Sequence, residues 1–109
     1  MSNPFEELAA LDRVVHDPAR LAILTALAAC RGADFTFLLR LTGLTNGNLS
    51  SHLTKLEEAG LVMLERRFVG KRPNTLIQLT GRGRATIDRH WKLLDGLRKS
   101  ARDWSPDSE

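Results

Sequence analysis

The stretch from Thr45 to Gly60, TNGNLSSHLTKLEEAG, constrains the fold of this chain more than any other. Leu49, Leu53 and Leu56 recur at helical spacing, so they predict an amphipathic helix that buries one stripe and exposes polar residues elsewhere. Thr45 suits a helix start, and Gly60 suits the position just past a helix end. The exposed first turns hold residues that form helices poorly, namely Asn46, Gly47, Asn48, Ser50 and Ser51. Short hydrogen-bonding groups of this kind let a helix approach base edges and phosphates.

The segment before this helix predicts a partner helix. Residues 36–41, TFLLRL, indicate a short helix with Phe37, Leu38 and Leu41 available for a core, and Thr42-Gly43-Leu44 indicates a tight turn. A short helix, a turn with glycine and a second helix with a polar start form the helix-turn-helix pattern.

The segment after the helix predicts a basic hairpin. Two β-rich runs at 61–69 and 74–79 flank the turn Gly70-Lys-Arg-Pro73. A helix-turn-helix followed at once by a basic hairpin is a winged helix, in which the hairpin is the wing.

Together these segments resemble a known family. The run GNLSSHLTKLEEAGLV, the wing residues GKR and the phrase IQLTGRGR are similar to the small single-domain winged-helix transcriptional regulators related to the ArsR and MarR groups. The resemblance covers residues 11–94 and implies a homodimer that binds double-stranded DNA. We therefore predict a mainly α fold with a small β-hairpin, a winged helix-turn-helix whose N- and C-terminal helices form a dimer interface.

Length and composition narrow the remaining possibilities. At 109 residues the chain is expected to form one winged-helix domain at 1–99, with a polar, partly disordered tail at 100–109. The sequence has no apolar run of transmembrane length, which favours a cytoplasmic protein that does not act at a membrane. The net charge is only +3, but basic residues concentrate between 61 and 92, which indicates a face directed at a polyanion.

Catalytic and metal-binding patterns do not emerge from the sequence. His16, His52 and His90 are scattered, and neither a nucleophile elbow nor a phosphate-binding glycine loop is found, so we predict that the chain is not an enzyme and uses no cofactor or metal. Cys30 is interpreted as a small buried hydrophobe, with a redox-sensing thiol as the alternative. For His16, solvent exposure or a local hydrogen bond is favoured over a metal role. Any small-molecule effector is left unknown.

The predicted DNA-contacting residues lie on the second helix of the helix-turn-helix and on the wing. On the recognition helix they are Thr45, Asn46, Asn48, Ser50, Ser51, His52 and Lys55. On the wing they are Arg66, Arg67, Lys71 and Arg72. A solvated polar face is the alternative for each of them.

The flanking helices supply the predicted core and dimer contacts. Asp17-Pro18 predicts the start of a central helix at 18–29. For Phe35 the apolar neighbours favour packing in the core, with a short strand residue beside the wing as the alternative. Pro4 suits the start of a first helix with Phe5, Leu8, Leu11 and Val15 as its apolar stripe, and Thr80 predicts the start of a final helix with a loose first turn at Gly81 and Gly83. The dimer interface is predicted at Phe5, Leu8, Leu11, Ile87, Trp91 and Leu94, with an intrachain core position as the alternative for Trp91.

The resemblance implies a sequence-specific regulator of transcription, whereas composition and spacing alone indicate a basic helix-turn-helix domain. A dimer with two recognition helices fits an inverted-repeat operator with half-sites about one helical turn apart, and repression by occluding a promoter is the simplest mechanism. The alternative is a winged-helix module that binds proteins or RNA without operator specificity.

Overall fold

The computed structural model describes residues 3–108, which fold into helices around one small antiparallel sheet. In chain order the elements are α1 (Pro4–Ala9), α2 (Pro18–Ala29), β1 (Ala33–Asp34), α3 (Phe35–Thr42), α4 (Asn46–Glu58), β2 (Val62–Val69), β3 (Arg72–Leu79), α5 (Gly81–Arg102) and a 3-10 turn at Pro106–Ser108. The strands lie in the order β1-β3-β2, so β2 and β3 form the wing and β1 pairs with the base of β3. This is the winged helix that the order of motifs predicts.

The core lies between the helices and the inner face of the sheet. Helix α2 is central, as predicted, because Ile23, Leu24 and Leu27 are all buried. The other main contributors are Leu38 of α3, Leu49, Leu53 and Leu56 of α4, Ile77 of β3 and Ile87 of α5. The inward stripe predicted for α4 is therefore confirmed.

The ends of α4 follow the local signals in the sequence. The side chain of Thr45 accepts a hydrogen bond from the backbone N–H of Asn48, which satisfies one of the free donors at the helix start. At the other end Gly60 has φ +75°, and the N–H groups of Gly60 and Leu61 donate to the carbonyls of Glu57 and Leu56. This pair of bonds is the Schellman motif, and it turns the chain directly into β2.

Thr80 joins the end of α4 to the start of α5. Its hydroxyl accepts from the N–H of Gly83, as predicted for a helix cap, and donates to the carbonyl of Gly60 at 2.6 Å. Its own N–H donates to the carbonyl of Leu61. One threonine therefore fixes the recognition helix, the base of the wing and the last helix relative to one another.

The first turn of α5 is tight, so the prediction of a loose turn at Gly83 is wrong. Gly83 is buried, and a Cβ at this position would overlap the carbonyl oxygen of Leu61 and lie 2.8 Å from its carbonyl carbon. Glycine is needed here because the helix backbone approaches the chain that leads into β2.

Helix α1 is shorter than its apolar stripe predicts. It ends at Ala9, so Leu11 and Val15 lie outside it, although Val15 is buried. The Asp12 side chain accepts from the N–H of Val14, and the Asp12 carbonyl accepts from His16. An aspartate that bonds its neighbouring backbone in this way competes with helix continuation.

Helix α3 presents a different stripe from the one predicted. Leu38 is buried, but Phe37 and Leu41 are exposed, and Phe35 and Leu39 pack against the core instead. The core packing favoured for Phe35 is confirmed, and its alternative as a strand residue is wrong, because Phe35 is the first residue of α3 and the strand is Ala33–Asp34.

Two boundaries also differ from expectation. Arg72 and Pro73 belong to β3, since the wing turn consists only of Gly70 and Lys71. Helix α5 continues to Arg102, past the domain boundary expected at 99, and Trp104 packs edge-on against Phe5 with ring centroids 5.1 Å apart. The domain division at 99 remains a prediction.

Candidate nucleic-acid interface

Helix α4 exposes a polar surface along its first turns. Thr45, Asn46, Asn48, Ser50, Ser51 and Lys55 are all exposed, as their predicted role requires. The helix also begins with its free N–H groups and the positive end of its dipole on this surface. The surface therefore combines hydrogen-bonding groups with a weak positive potential.

Gly47 has no packing role within the described part of the chain. A Cβ added to it would meet no heavy atom within 4 Å. Glycine costs roughly 1 kcal/mol relative to alanine inside a helix, so its presence in α4 is not explained by stability. A site that a ligand approaches closely accounts for a small residue here.

His52 lies at the flank of α4 and is partly buried. Its Nδ1 atom is buried and has no hydrogen-bond partner among residues 3–108. Burial raises the pKa of Asp17, but the Arg20 backbone N–H, the Arg20 charge and His52 together hold that pKa below its usual value. Because its Nδ1 is buried, this edge of the His52 ring faces the protein and not the exposed surface of α4.

The wing carries four exposed cations, at Arg66, Arg67, Lys71 and Arg72. Strands β2 and β3 pair from Val62 with Leu79 to Val69 with Arg72, and Gly70 turns the hairpin with φ +65°. Positive φ at the first position of a two-residue hairpin turn favours glycine. None of the four cations forms a salt bridge with a carboxylate of the described residues.

A chain of polar contacts ties the wing to the helix-turn-helix. The Arg67 Nε donates to Asn74 Oδ1 at 2.9 Å, and Asn74 Nδ2 donates to Asp34 Oδ2 at 3.4 Å. The other oxygen of Asp34 accepts from the N–H of Phe37 and so caps α3. Asn74 was not predicted as a functional residue, because only the cross-strand register reveals its position.

Two further arginines near the interface differ in their surroundings: Arg40 faces solvent, and Arg84 contacts the protein. Arg40 on α3 is exposed and was overlooked by sequence reasoning, since it lies in the apolar segment. Arg84 was counted in the basic face, but its guanidinium donates to the carbonyl of Ala28 at the end of α2. That contact stabilises the negative end of a helix.

The predicted dimer residues fall into two groups. Ile87 is part of the intrachain core, so its assignment to the dimer interface is wrong. Phe5 and Leu8 are exposed and Leu11 and Leu94 are partly buried. Trp91 is 46% exposed and donates from Nε1 to Thr25, so it does not occupy the intrachain core that was its alternative.

His16 and His90 meet between the α1–α2 connection and α5. The distance from His16 Nδ1 to His90 Nε2 is 3.1 Å, and His90 is buried. Burial lowers the pKa of His90, the positive charge of His16 lowers it further, and Asp12 acts in the opposite direction. Across residues 3–108, no three His, Cys, Asp or Glu side chains are grouped so as to hold a metal ion.

A helix-turn-helix with a polar recognition surface, next to a basic two-stranded wing, defines a winged-helix DNA-binding protein. Residues 19–97 match the family model described as winged helix DNA-binding domain, and the chain belongs to this family. It is a DNA-binding regulator of transcription related to the MarR regulators. No helix within residues 3–108 is long and apolar enough to cross a membrane.

Similar proteins include an uncharacterized protein of Methanocaldococcus jannaschii, 33% identical over 75 residues that make up 69% of this chain and 82% of the relative. A transcriptional regulator homologue from Pyrococcus horikoshii OT3 superposes with a TM-score of 0.81 at 29% identity, covering 93% of this chain and 98% of that one. The repressor CouR, bound to a 23-mer DNA duplex, superposes with a TM-score of 0.66 at 28% identity, and the match covers 84% of this chain and 68% of CouR. A MarR-family regulator from Silicibacter pomeroyi superposes with a TM-score of 0.66 at 25% identity, and the match covers 96% of this chain and 68% of that one.

Proposed function

We propose that the chain is a homodimeric repressor that binds an inverted-repeat operator through α4 and the wing. The observation that carries this proposal is the composition of the exposed first turns of α4. Gly47, Asn48 and Ser51 are poor helix formers; a Cβ at Gly47 would meet no heavy atom of the described residues within 4 Å, and Asn48 and Ser51 are exposed, whereas a DNA groove can use all three. Asn48 is the residue suited to bidentate pairing with adenine.

The wing supplies affinity that does not depend on sequence. Its four cations are exposed and form no salt bridge with the described carboxylates, so their charges can neutralise phosphates and release counterions, even though Arg67 also donates to Asn74. Lys55 on α4 and Arg40 on α3 add to this set. Asn48 and Ser51 then read base edges, while the cations position the duplex.

The shape of the chain supports a dimer. The radius of gyration is 16.9 Å, whereas a compact chain of this length has about 13 Å. The 22-residue helix α5 contributes to this excess: it packs against α2, β3 and the short α1, and it is much longer than any of them. Phe5, Leu8 and Trp91 remain exposed on these two helices, and a second copy of the chain would cover them.

Repression by occlusion is the simplest mechanism, because two winged-helix domains on successive major grooves would block a promoter. The repressor CouR, whose structure on a DNA duplex has the same fold, is consistent with this mechanism.

The proposal is tested by selecting binding sequences from a randomised duplex pool at near-physiological salt. We expect enrichment of an inverted repeat with half-sites about one helical turn apart. Enrichment of a single half-site would refute the dimeric mode of binding. No enrichment, together with binding that disappears at modest salt, would refute operator recognition and favour a protein- or RNA-binding module.

Dimerisation is tested separately by sedimentation at micromolar concentration. Trp91→Ala should shift the mass toward the monomer, whereas Met63→Ala, which removes a similarly exposed apolar side chain from β2, should not. An unchanged mass for Trp91→Ala would exclude Trp91 from the interface.

A further inference from the structure

The wing tip, residues 66–73, exposes apolar side chains among its cations. Phe68 is 74% exposed, more than any other large hydrophobic side chain in the described part of the chain. Exposing a phenylalanine to this degree forgoes most of the stabilisation that its burial would give. Val69 and Pro73 are exposed beside it, so the tip is an apolar surface of the kind that binds a partner.

The strand register makes this tip a stiff wedge. Phe68 lies opposite Pro73, and cross-strand partners share one face of the hairpin. The ring of Pro73 fixes the backbone of β3 at this point, where β1 no longer pairs with it. Arg66 follows on the same face, while Arg67 and Arg72 lie on the other, so the apolar pair is flanked by positive charge.

We propose that Phe68, backed by Pro73, inserts into the minor groove beside the half-site and partly unstacks a base step. The inference rests on the proposed function and adds a second source of specificity to it. Cations are attracted to a narrow minor groove, and apolar side chains of minor-groove proteins wedge between base steps and kink the duplex. Flexible pyrimidine–purine steps are the easiest to unstack, so the wing should bind best where the flanking sequence contains such a step. This preference needs no hydrogen bond to the bases of the flank.

The wing is joined directly to α4, and this connection favours DNA over other possible partners of the basic, aromatic wing tip. Leu61 is the single residue between Gly60 and β2, and the Schellman motif fixes its backbone. The base of the wing is therefore held in a fixed orientation relative to α4 and to a duplex bound by α4. A membrane surface or a second copy of the chain would use the tip without using α4.

The test uses the duplex enriched from the random pool, with 2-aminopurine placed at successive positions outside the half-sites. Unstacking raises the fluorescence of 2-aminopurine, so wild-type protein should raise it at one step on each flank. Phe68→Ala should abolish this signal and weaken binding about tenfold, because most of a phenylalanine side chain is no longer buried on binding. The salt dependence of its binding should stay unchanged, since no cation is lost.

Two further variants control the interpretation. Met63→Ala removes an exposed apolar side chain from the opposite end and opposite face of β2, and it should bind as wild type. Phe68→Leu keeps an apolar wedge and should retain part of the fluorescence signal.

The outcomes separate this inference from the function on which it rests. If wild-type protein enriches no duplex, the proposed function fails. If wild type binds and Phe68→Ala binds equally well, or weakly with the same fluorescence signal, the wedge is refuted while operator binding stands. Loss of binding to vesicles of anionic phospholipid by Phe68→Ala, with DNA binding intact, would assign the tip to a membrane instead.

Discussion

Replacing Gly83 by alanine should destabilise the fold by about 2 kcal/mol, although glycine is the poorer helix former. Alanine gains at most about 1 kcal/mol in helix propensity. The added Cβ would overlap the Leu61 carbonyl, whose oxygen also accepts from the N–H of Thr80. Because the obstacle is hydrogen-bonded backbone rather than a flexible side chain, the steric cost lies at or above the upper end of the usual ~1–3 kcal/mol for overpacking.

Urea denaturation followed by circular dichroism measures this difference. With a slope of roughly 1–3 kcal/mol/M, the midpoint for Gly83→Ala should fall by about 1 M at an unchanged slope. Gly96→Ala and Gly81→Ala are the matched controls, since a Cβ at either position of α5 meets nothing within 4 Å. Gly96→Ala should raise stability by about 0.5–1 kcal/mol. A midpoint for Gly83→Ala at or above that of wild type would refute the close approach of α5 to Leu61.

Three further predictions concern DNA binding and pH. Gly47→Ala should raise the free energy of unfolding, measured with urea, by up to about 1 kcal/mol, and it should weaken operator binding in an anisotropy titration. An unchanged affinity would mean that the DNA does not approach this part of the backbone closely. Arg72→Ala should weaken binding to all duplexes and reduce the salt slope by about 1, whereas Asn48→Ala should cost about 1–3 kcal/mol on the preferred operator and less on others; equal effects on every duplex would contradict this division. Because the pKa of His90 is lowered in the folded chain, this residue binds more protons in the unfolded than in the folded chain as pH falls through 6.5, so its contribution to the free energy of unfolding is largest above that pH and decreases below it. Urea titrations at about pH 7.5 and about pH 5.5 should show a smaller decrease for His90→Gln than for wild type, and an equal decrease would assign the pH dependence to other groups.

Features governed by local signals were predictable from the sequence. The caps at Asp17, Thr45 and Thr80 and the glycine turn at Gly60 lie where the residue types indicate, because each acts through hydrogen bonds to backbone only a few residues away. The leucine stripe of α4 was also predictable, since its polar residues leave one apolar face.

Features governed by tertiary contacts were not predictable from the sequence. Helix α3 carries apolar residues on more than one face, so its periodicity does not decide between Phe37 and Leu39 as the inward residue. The close approach at Gly83 and the contact of His16 with His90 join segments that are distant in sequence. Ile87 shows the same limit, because an apolar residue on a terminal helix serves an interface or a core equally well until the packing is known.

The candidate site divides in the same way. The exposed residues of α4 and the wing cations follow from pattern and charge, while the partly buried ring of His52 and the role of Asn74 depend on the fold. Which of the exposed residues touch DNA stays a prediction.

The polar contacts from Arg67 through Asn74 to Asp34 limit how this protein can be re-engineered. A chimera that received only the wing of a relative would replace Asn74 and leave the Asp34 carboxylate without that donor. Because the same carboxylate caps α3, the graft would disturb the helix-turn-helix as well as the hairpin. A wing without a donor at position 74 should therefore be grafted together with a new residue 34, and a designer who seeks altered flank preference should vary the tip beyond residue 67 and keep this anchor.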